Sequence, residues 1–296
     1  MADLKRRIVQ IFSAILGNSY IKGFTKGVIY RGKLKSICFP GLNCYSCPGA
    51  LTSCPIGSLQ AVAAGIKHQI SFYVIGILMM IGTLGGRFVC GWICPFGFFQ
   101  ELLYKIPTKK IKMKKPFRIG KYFFLIFFVL IMPAFLTNDL GLGLPYFCKY
   151  ICPAGTLEAG IPLVIVNTAI RGAIGIMFYL KLILLVIIIV FSILISRPFC
   201  RAICPLGAIY SLFNPISFYR MNVDISKCIK CDICRKNCPV DIKIYENPND
   251  LECVRCGKCV SKCPTNAVKS GFQNHVKRRN EIEKNLDSNC YTDNCN

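Results

Sequence analysis

Acidic residues, histidine and tryptophan are scarce in this sequence. Its 296 residues include 14 Asp and Glu, 2 His and 1 Trp. Of the two histidines, His68 lies among apolar segments and His275 in a polar tail, so we predict no haem held by a histidine pair. There is also no Gly-rich phosphate loop and no Ser/His/Asp set. These absences argue against haem proteins, nucleotide-dependent enzymes and serine hydrolases.

The shortage of acidic residues leaves a large excess of positive charge. The 37 Lys and Arg residues give a formal net charge of +23. Nucleic-acid binding could explain such basicity, but no basic face carries a recognition motif, and we predict no nucleic-acid partner. Most basic residues flank apolar runs, which is typical of topology signals and of contact with anionic membrane lipid. Cysteine thiolates that ligate clusters would offset part of the excess.

Long apolar runs predict an integral membrane protein. Hydrophobic residues make up 53% of the chain, and the mean hydropathy is +0.47. Segments 8–24, 70–86, 122–136 and 176–196 approach the length that spans a bilayer. The first is the weakest and either crosses the membrane or lies at its interface. The predicted fold is an α-helical membrane domain (1–221) of about four transmembrane helices plus short amphipathic helices.

Loop charge predicts how this domain is oriented. The loop 105–121 carries eight basic residues and no acidic one, which marks it as cytoplasmic in the cell membrane. Four spans then place both termini in the cytoplasm. On this map the cysteines of 90–94 and 200–204 lie on the inner side, and those of 44–54 and 148–152 on the outer side. The basic residues between 22 and 35 fit this map poorly.

A cysteine motif recurs at the ends of apolar segments. CGWICPFG at 90–97 is repeated as CKYICPAG at 148–155 and CRAICPLG at 200–207, and in part as CPIG at 54–57. Cysteines four residues apart share one helix face, and proline suits the first position of a following helix. That helix would direct free amides at the cysteine, and the glycine would allow close backbone approach. Each motif therefore predicts a ligand followed by a helix start. Equivalent positions after three of the motifs hold polar residues, which either pack or bond to a cluster ligand: Gln60, Gln100 and Glu158.

Alternate copies of the motif should return to the same side of the membrane. We therefore predict an inner site and an outer site, each able to hold a further [4Fe-4S] cluster. The inner site comprises Cys90, Cys94, Cys200 and Cys204. The outer site comprises Cys148 and Cys152 with two of Cys44, Cys47 and Cys54. The same pairs could instead act as dithiol/disulfide couples or as structural thiols.

Residues 222–270 contain two complete copies of C-x2-C-x2-C-x3-C-P. This region resembles the two-cluster bacterial ferredoxin, and the resemblance implies a small cytoplasmic α+β domain followed by a flexible tail (271–296). Structural zinc is the less consistent alternative. By the crossed pattern of that family, the implied ligands of the two [4Fe-4S] clusters are Cys228, Cys231, Cys234 and Cys263 for one and Cys253, Cys256, Cys259 and Cys238 for the other.

The segments GRFVCGWICPFG and RPFCRAICPLG, followed by a ferredoxin module, resemble the NapH/NosR-type membrane iron–sulfur proteins. The resemblance covers roughly residues 70–270. It implies an electron-transfer component that relays electrons between a soluble carrier (a ferredoxin or flavodoxin) or quinol and an acceptor at or beyond the membrane, in company with a partner reductase. Two alternatives remain: a reductase of a metal ion or disulfide that uses the outer-side cysteines, and an accessory or maturation role for another redox enzyme.

The charge of the ferredoxin module bears on its partner. Nine basic residues outnumber six acidic ones between 222 and 270. A basic surface would attract an acidic soluble carrier. Contact with the anionic inner leaflet would explain the same charge.

Overall fold

The structure is a computed structural model that describes residues 2–65, 71–136 and 143–272. Both histidines and nearly all of the predicted flexible tail lie outside these residues. The chain forms a mostly helical part that extends to Phe213, followed by a small ferredoxin-type domain. The helical part contains these helices: Ala2–Gly17, Ile21–Lys26, Lys33–Ser36, Pro55–Ala64, Phe72–Gly85, Phe88–Trp92, Pro95–Leu103, Lys115–Phe135, Phe147–Ile151, Pro153–Val166, Thr168–Gly172, Ile176–Leu194, Pro198–Ala202 and Pro205–Phe213.

Two helices of the described residues are long and apolar enough to cross a membrane. They are Lys115–Phe135 and Ile176–Leu194, with mean hydropathies of 1.7 and 2.9. Most of their apolar side chains face outward, which suits lipid better than water. Helices Phe72–Gly85 and Pro153–Val166 are apolar but shorter. A total of about four transmembrane helices therefore stays a prediction.

The predicted first span is divided in two. Helix Ala2–Gly17 ends before helix Ile21–Lys26 begins. Arg6 and Gln10, one turn apart, are fully buried against the segment around the first cysteine motif. The opposite face of the helix exposes apolar side chains such as Phe12. A helix with one polar buried face and one apolar exposed face is compatible with contact between protein and membrane.

The ferredoxin-type domain is closed by a two-stranded antiparallel sheet. Strand β1 (Tyr219–Val223) pairs with β2 (Val268–Phe272), with Tyr219 opposite Phe272. Between the strands lie two short helices, Ile233–Lys236 and Lys258–Lys262. Residues with positive φ occur at matching positions of the two cysteine loops, which therefore follow the same path: Lys230 with Arg255, Asp232 with Gly257, and Asp241 with Asn266.

The second cysteine loop of this domain packs directly on the first membrane motif. The indole Nε1–H of Trp92 donates to the Arg255 carbonyl at 3.0 Å. The Arg255 guanidinium in turn donates to the Gly85 carbonyl at 2.8 Å. A Cβ atom at Gly91 would overlap the carbonyl oxygen of Val254. The domain is therefore seated on the helical part by a close backbone contact and by two hydrogen bonds.

We expect Gly91→Ala to weaken this seating, because an added methyl group must displace backbone of the ferredoxin loop. Overpacking of this kind costs about 1–3 kcal/mol. Thermal unfolding of the iron-loaded protein and proteolysis of the 213–228 junction measure the loss. Gly76→Ala is the matched control, because a Cβ there meets nothing within 4 Å. Equal stability of the two variants would contradict the close packing.

Candidate metal centres

The prediction of a helix start after each cysteine motif is confirmed. Helices begin at the prolines that follow Cys54, Cys94, Cys152 and Cys204, and each of these cysteines is the extended N-cap residue. The Gly207 amide donates to the Cys204 sulfur at 3.4 Å. The prediction that the motif glycine allows close backbone approach is also confirmed in two of the copies. An added Cβ would lie 3.0 Å from the Cys90 oxygen at Gly97 and 2.7 Å from the Cys200 oxygen at Gly207.

The inner site lies between the motifs at 90–97 and 200–207, which are joined by two hydrogen bonds of one glutamine side chain. Gln100, on the helix after the first motif, donates through Nε2 to the Cys200 sulfur at 3.0 Å. Its Oε1 accepts from the Phe199 amide at 3.2 Å. The four cysteines predicted for this site, Cys90, Cys94, Cys200 and Cys204, are all buried and near enough to interact electrostatically. The structure therefore brings together the alternate copies of the motif.

Two arginines also join the motifs, because each donates a hydrogen bond to a carbonyl of the other motif. Arg87 and Arg197 each stand three residues before the first cysteine of a motif. The Arg87 guanidinium donates to the Cys200 carbonyl at 3.0 Å. The Arg197 guanidinium donates to the Cys90 carbonyl. Both side chains are fully buried, so two positive charges lie beside the inner site within the protein.

Each arginine belongs to a buried group of two cations and one carboxylate. We call the first group triad A; Glu101 binds Arg197 at 3.0 Å and Arg6 at 2.9 Å. We call the second group triad B; it joins Glu252 to Arg87 at 2.9 Å and to Lys121. Burial alone would raise the pKa of Glu101, but its ion pairs with Arg197 and Arg6 lower it to about 2.

The carboxylate of triad B behaves in the same way. Burial would raise the pKa of Glu252, but Arg87 and Lys121 lower it to about 2. Both carboxylates are therefore ionised at neutral pH. Each triad then carries two positive charges and one negative charge.

The outer site repeats this arrangement with a different cation. Gln60 donates through Nε2 to the Cys148 sulfur at 3.1 Å, and its Oε1 accepts from the Phe147 amide at 2.9 Å. The ammonium of Lys181 donates to the Cys148 carbonyl at 3.1 Å, as Arg197 does to Cys90. A cavity of about 540 Å³ is lined by four of the predicted cysteines, Cys44, Cys54, Cys148 and Cys152.

Cys47 does not line this cavity. The cysteine spacing had left open which two of Cys44, Cys47 and Cys54 belong to the outer site. Its thiol donates to the Asn18 side-chain oxygen at 3.4 Å. Glu158 follows its motif at the same spacing as Gln60. Its carboxylate accepts a hydrogen bond from the Cys44 amide at 2.7 Å. Cys38 is also outside the cavity, with its sulfur 3.4 Å from the Ser53 hydroxyl. The cysteines that line the cavity, and that we call the outer site, are Cys44, Cys54, Cys148 and Cys152.

The inner and outer sites are close neighbours, although the loop charges predicted opposite sides of a bilayer. The Leu42 amide donates to the Cys94 sulfur, and Cys44 of the outer site follows two residues later. Two residues span at most about 7 Å, whereas the hydrocarbon core of a bilayer is about 30 Å thick. The difference arises because the loop that contains Leu42 folds inward and is buried against protein, which allows irregular backbone at membrane depth.

The ferredoxin cysteines form two sets of four, in the crossed arrangement of the resemblance. One cavity is lined by Cys228, Cys231, Cys234 and Cys263. A second is lined by Cys238, Cys253, Cys256 and Cys259, and Cys234 borders it as well. The first set includes an exposed cysteine, Cys231, and the second lies beside the helical part.

The donor sets suit clusters better than single ions. Within 2–65, 71–136 and 143–272, no three His, Cys, Asp or Glu side chains converge tightly enough to hold one metal ion. Four cysteines around a common space are the usual ligands of a [4Fe-4S] cubane. The 18 cysteines of the described residues form no disulfide. The cysteines that line the three cavities, and the four buried neighbouring cysteines of the inner site, therefore fit the ligand set of a cubane.

Sequence reasoning missed several residues that build the sites. Tyr210 follows Cys204 at the spacing that separates Gln100 from Cys94; it is fully buried, and its hydroxyl donates to the Pro40 carbonyl at 2.8 Å. The two triads were missed as well. The signal for their arginines was present, because arginine precedes both inner motifs at the same spacing. Their glutamates carry no such signal, since nothing in the sequence links 101 to 197 or 252 to 87.

Comparison with known proteins places this chain in a family. Residues 68–114, 121–161 and 177–222 match a 4Fe-4S binding domain family, and each segment contains one C-x3-C-P motif. Residues 248–269 match another family described as a 4Fe-4S binding domain. No solved structure matches the chain.

Three curated relatives illustrate the range of similarity. An uncharacterised protein of Methanocaldococcus jannaschii is 32% identical over 60% of this chain and 68% of its own length. The methylamine utilization ferredoxin-type protein MauN of Methylobacillus flagellatus is 26% identical over 80% of this chain and 75% of its own. The ferredoxin-type protein NapH of Haemophilus influenzae is 25% identical over 55% and 51%. With its repeated cysteine motifs and its ferredoxin-type domain, the chain belongs to the NapH/NosR-type family of 4Fe-4S ferredoxin-type electron-transport proteins.

Proposed function

We propose that the protein relays electrons through four [4Fe-4S] clusters in series. The order is the cluster at Cys231, the cluster at Cys256, the inner site and the outer site. The observation that carries the proposal is an unbroken series of contacts between these four cysteine sets. Each cluster, when bound, takes up and releases one electron. The protein holds the thiolates, fixes the spacing between clusters and keeps water away from the buried ones.

The step between the ferredoxin domain and the inner site is supported by the packing at Gly91. This glycine stands between Cys90 of the inner site and the backbone of Val254, which neighbours Cys253. The Arg197 guanidinium, bound to the Cys90 carbonyl, also interacts electrostatically with Cys256. The two cysteine sets are therefore separated by backbone contacts and one side chain, which favours direct transfer.

The step between the inner and outer sites is supported by the segment from Leu42 to Cys44. One end of this segment donates a hydrogen bond to the inner-site Cys94, and the other end supplies an outer-site cysteine. The path thus runs through one hydrogen bond and a few covalent bonds. The buried Tyr210 side chain lies near both sites and excludes water from the space between them.

Electrons would reach the first cluster from a soluble acidic carrier such as a ferredoxin or flavodoxin. Cys231 is exposed, and so are Lys227, Lys230 and the apolar side chain of Ile229. Lys227 also pairs with Asp224 at 3.7 Å. Exposed lysines around an apolar side chain, directly over a cluster, suit docking of an acidic partner. Quinol as the donor, a partner reductase as the acceptor and the direction of flow belong to the same proposal as alternatives.

We further propose that the ferredoxin domain lies at the cytoplasmic face of the cell membrane, with both termini in the cytoplasm. The basic loop 105–121 supports this orientation, since such loops are retained in the cytoplasm. Lys112 of this loop pairs with Asp241 of the ferredoxin domain at 3.1 Å, and Arg118 contacts the Val240 carbonyl at 3.4 Å. The loop and the domain therefore lie on one side.

A second candidate function is reduction of a metal ion or disulfide at the outer site. The observation in its favour is the open cavity of about 540 Å³, in which Cys44 and Cys148 are partly exposed. Thiols that react with an alkylating agent only after reduction of the iron-loaded protein would favour this function. Protection of these thiols in every redox state would favour a bound cluster.

Iron content tests the relay directly. Anaerobically purified protein should contain roughly sixteen irons and sixteen sulfides per chain. Cys94→Ala should lose about four of each, because it removes one ligand of the inner site. Cys47→Ala is the matched control and should keep all of them, since its thiol faces Asn18. About eight irons in the unaltered protein would restrict clusters to the ferredoxin domain and exclude the four-site relay.

Charge reversal tests the docking of an acidic carrier. We expect the double variant Lys227→Glu/Lys230→Glu to slow reduction of the protein by an acidic ferredoxin about tenfold at low salt, because it opposes the charge of the carrier. High salt should diminish the difference. Stopped-flow absorbance records the rate, and Lys33→Glu, an exposed change next to the outer-site loop, should leave it unaltered. A rate that does not depend on salt in any variant would exclude electrostatic docking.

A further inference from the structure

We propose that triads A and B set the reduction potential of the inner-site cluster and of the ferredoxin cluster that adjoins it. The inference rests on the proposed function, because it requires a cluster at the inner site. It assigns a role to six charged side chains that neither hold iron nor contact the outer surface. All six are buried: Arg6, Glu101 and Arg197 in triad A, and Arg87, Lys121 and Glu252 in triad B.

Each triad carries an excess of positive charge. Two cations and one carboxylate leave each triad with a net charge of +1, so the buried side chains of the two triads together supply +2. Arg6 also pairs at 3.2 Å with Asp3, but the Asp3 side chain is 54% exposed and its charge is screened by water. A cubane with four thiolates carries about −2 when oxidised and gains one further negative charge on reduction. Buried charge is costly unless it is compensated. The triads and an oxidised inner cluster therefore compensate each other.

The triads lie beside the inner motifs and the ferredoxin loop. Arg197 and Arg87 are bonded to the carbonyls of Cys90 and Cys200, the residues that begin the two inner motifs. Their other contacts extend toward the ferredoxin loop, where Arg87 donates to the Leu251 carbonyl at 3.1 Å. The triads thus lie between two adjacent cysteine sets. In this buried region, charges interact more strongly than they do in water.

Positive charge at this position favours the reduced cluster, because reduction adds an electron. The triads should therefore raise the reduction potential of both neighbouring clusters. The outer site differs in this respect. Lys181 donates to the Cys148 carbonyl there. Buried Lys35 interacts electrostatically with Cys44, and the Glu158 carboxylate accepts a hydrogen bond from the Cys44 amide. These charges are single side chains around an open cavity, whereas the two triads are buried ion-pair groups at the junction between the ferredoxin domain and the inner site.

A set of three variants in triad A tests the sign of the effect. Arg197→Gln removes one positive charge and should lower the midpoint potential of a buried cluster. Glu101→Gln removes one negative charge and should raise it. The double variant restores the original net charge and should return the potential close to its starting value. Redox-poised EPR of the intact, iron-loaded chain measures the midpoints.

The expected size is at least a tenfold change in the reduced-to-oxidised ratio at the original midpoint, which for one electron corresponds to about 59 mV. Arg197→Lys keeps the charge and should leave the midpoint potential close to that of the unaltered protein. The matched control is Lys243→Gln/Glu246→Gln, an exposed ion pair of the ferredoxin domain, which should change nothing. Iron content of every variant is measured in parallel, so that loss of a cluster is not mistaken for a shift in potential.

The outcomes separate this inference from the proposed relay. Opposite shifts for the two single variants, with recovery in the double variant, support the inference. Shifts of one sign in all three variants, or no shift while roughly sixteen irons are retained, would overturn it and leave the relay intact. If the inner cluster is missing from the unaltered protein, the relay itself fails.

Discussion

The structure depends on one repeated interaction, in which each cysteine motif is held by side chains that come from another motif. Gln100 bonds to Cys200, Arg197 to Cys90 and Arg87 to Cys200, all within a buried region. Neither motif can satisfy these polar groups alone, because unpaired polar groups in a dry interior are costly. The requirement to pair them brings alternate motifs together and thereby places four buried cysteines beside one another.

The same principle explains why the charged triads are tolerated. An isolated buried arginine would be strongly unfavourable, but Arg87 and Arg197 each share a carboxylate with a second cation. The remaining net charge is positive, so the region favours an anionic occupant. The ferredoxin domain takes part in this balance, since Glu252 belongs to it. Its docking is therefore linked to the electrostatics of the inner site as well as to backbone packing at Gly91.

The loop that includes residues 38–54 determines how far apart the sites are. It supplies two outer-site cysteines, Cys44 and Cys54, and bonds to the inner-site Cys94 through the Leu42 amide. Its irregular backbone can be buried because backbone groups of the loop are paired, such as the Phe39 amide with the Ser53 carbonyl at 2.9 Å and the Cys44 amide with the Glu158 carboxylate at 2.7 Å. Because the loop contacts both cysteine sites, the two sites are neighbours. A relay can then pass through the helical part without a gap as wide as a bilayer.

The sequence by itself determined the chemistry of this protein. Cysteine spacing and the following prolines were enough to predict the helix starts, because proline and N-cap geometry act over a few residues. The same spacing identified the ferredoxin-type domain, and the alternation of apolar spans predicted that alternate motifs meet. The tertiary structure alone decided that Cys44, not Cys47, lines the outer cavity, and that Glu101 and Glu252 face buried arginines. It also decided that the two membrane sites are adjacent. These features depend on contacts between residues far apart in the chain, which local periodicity and loop charge do not encode.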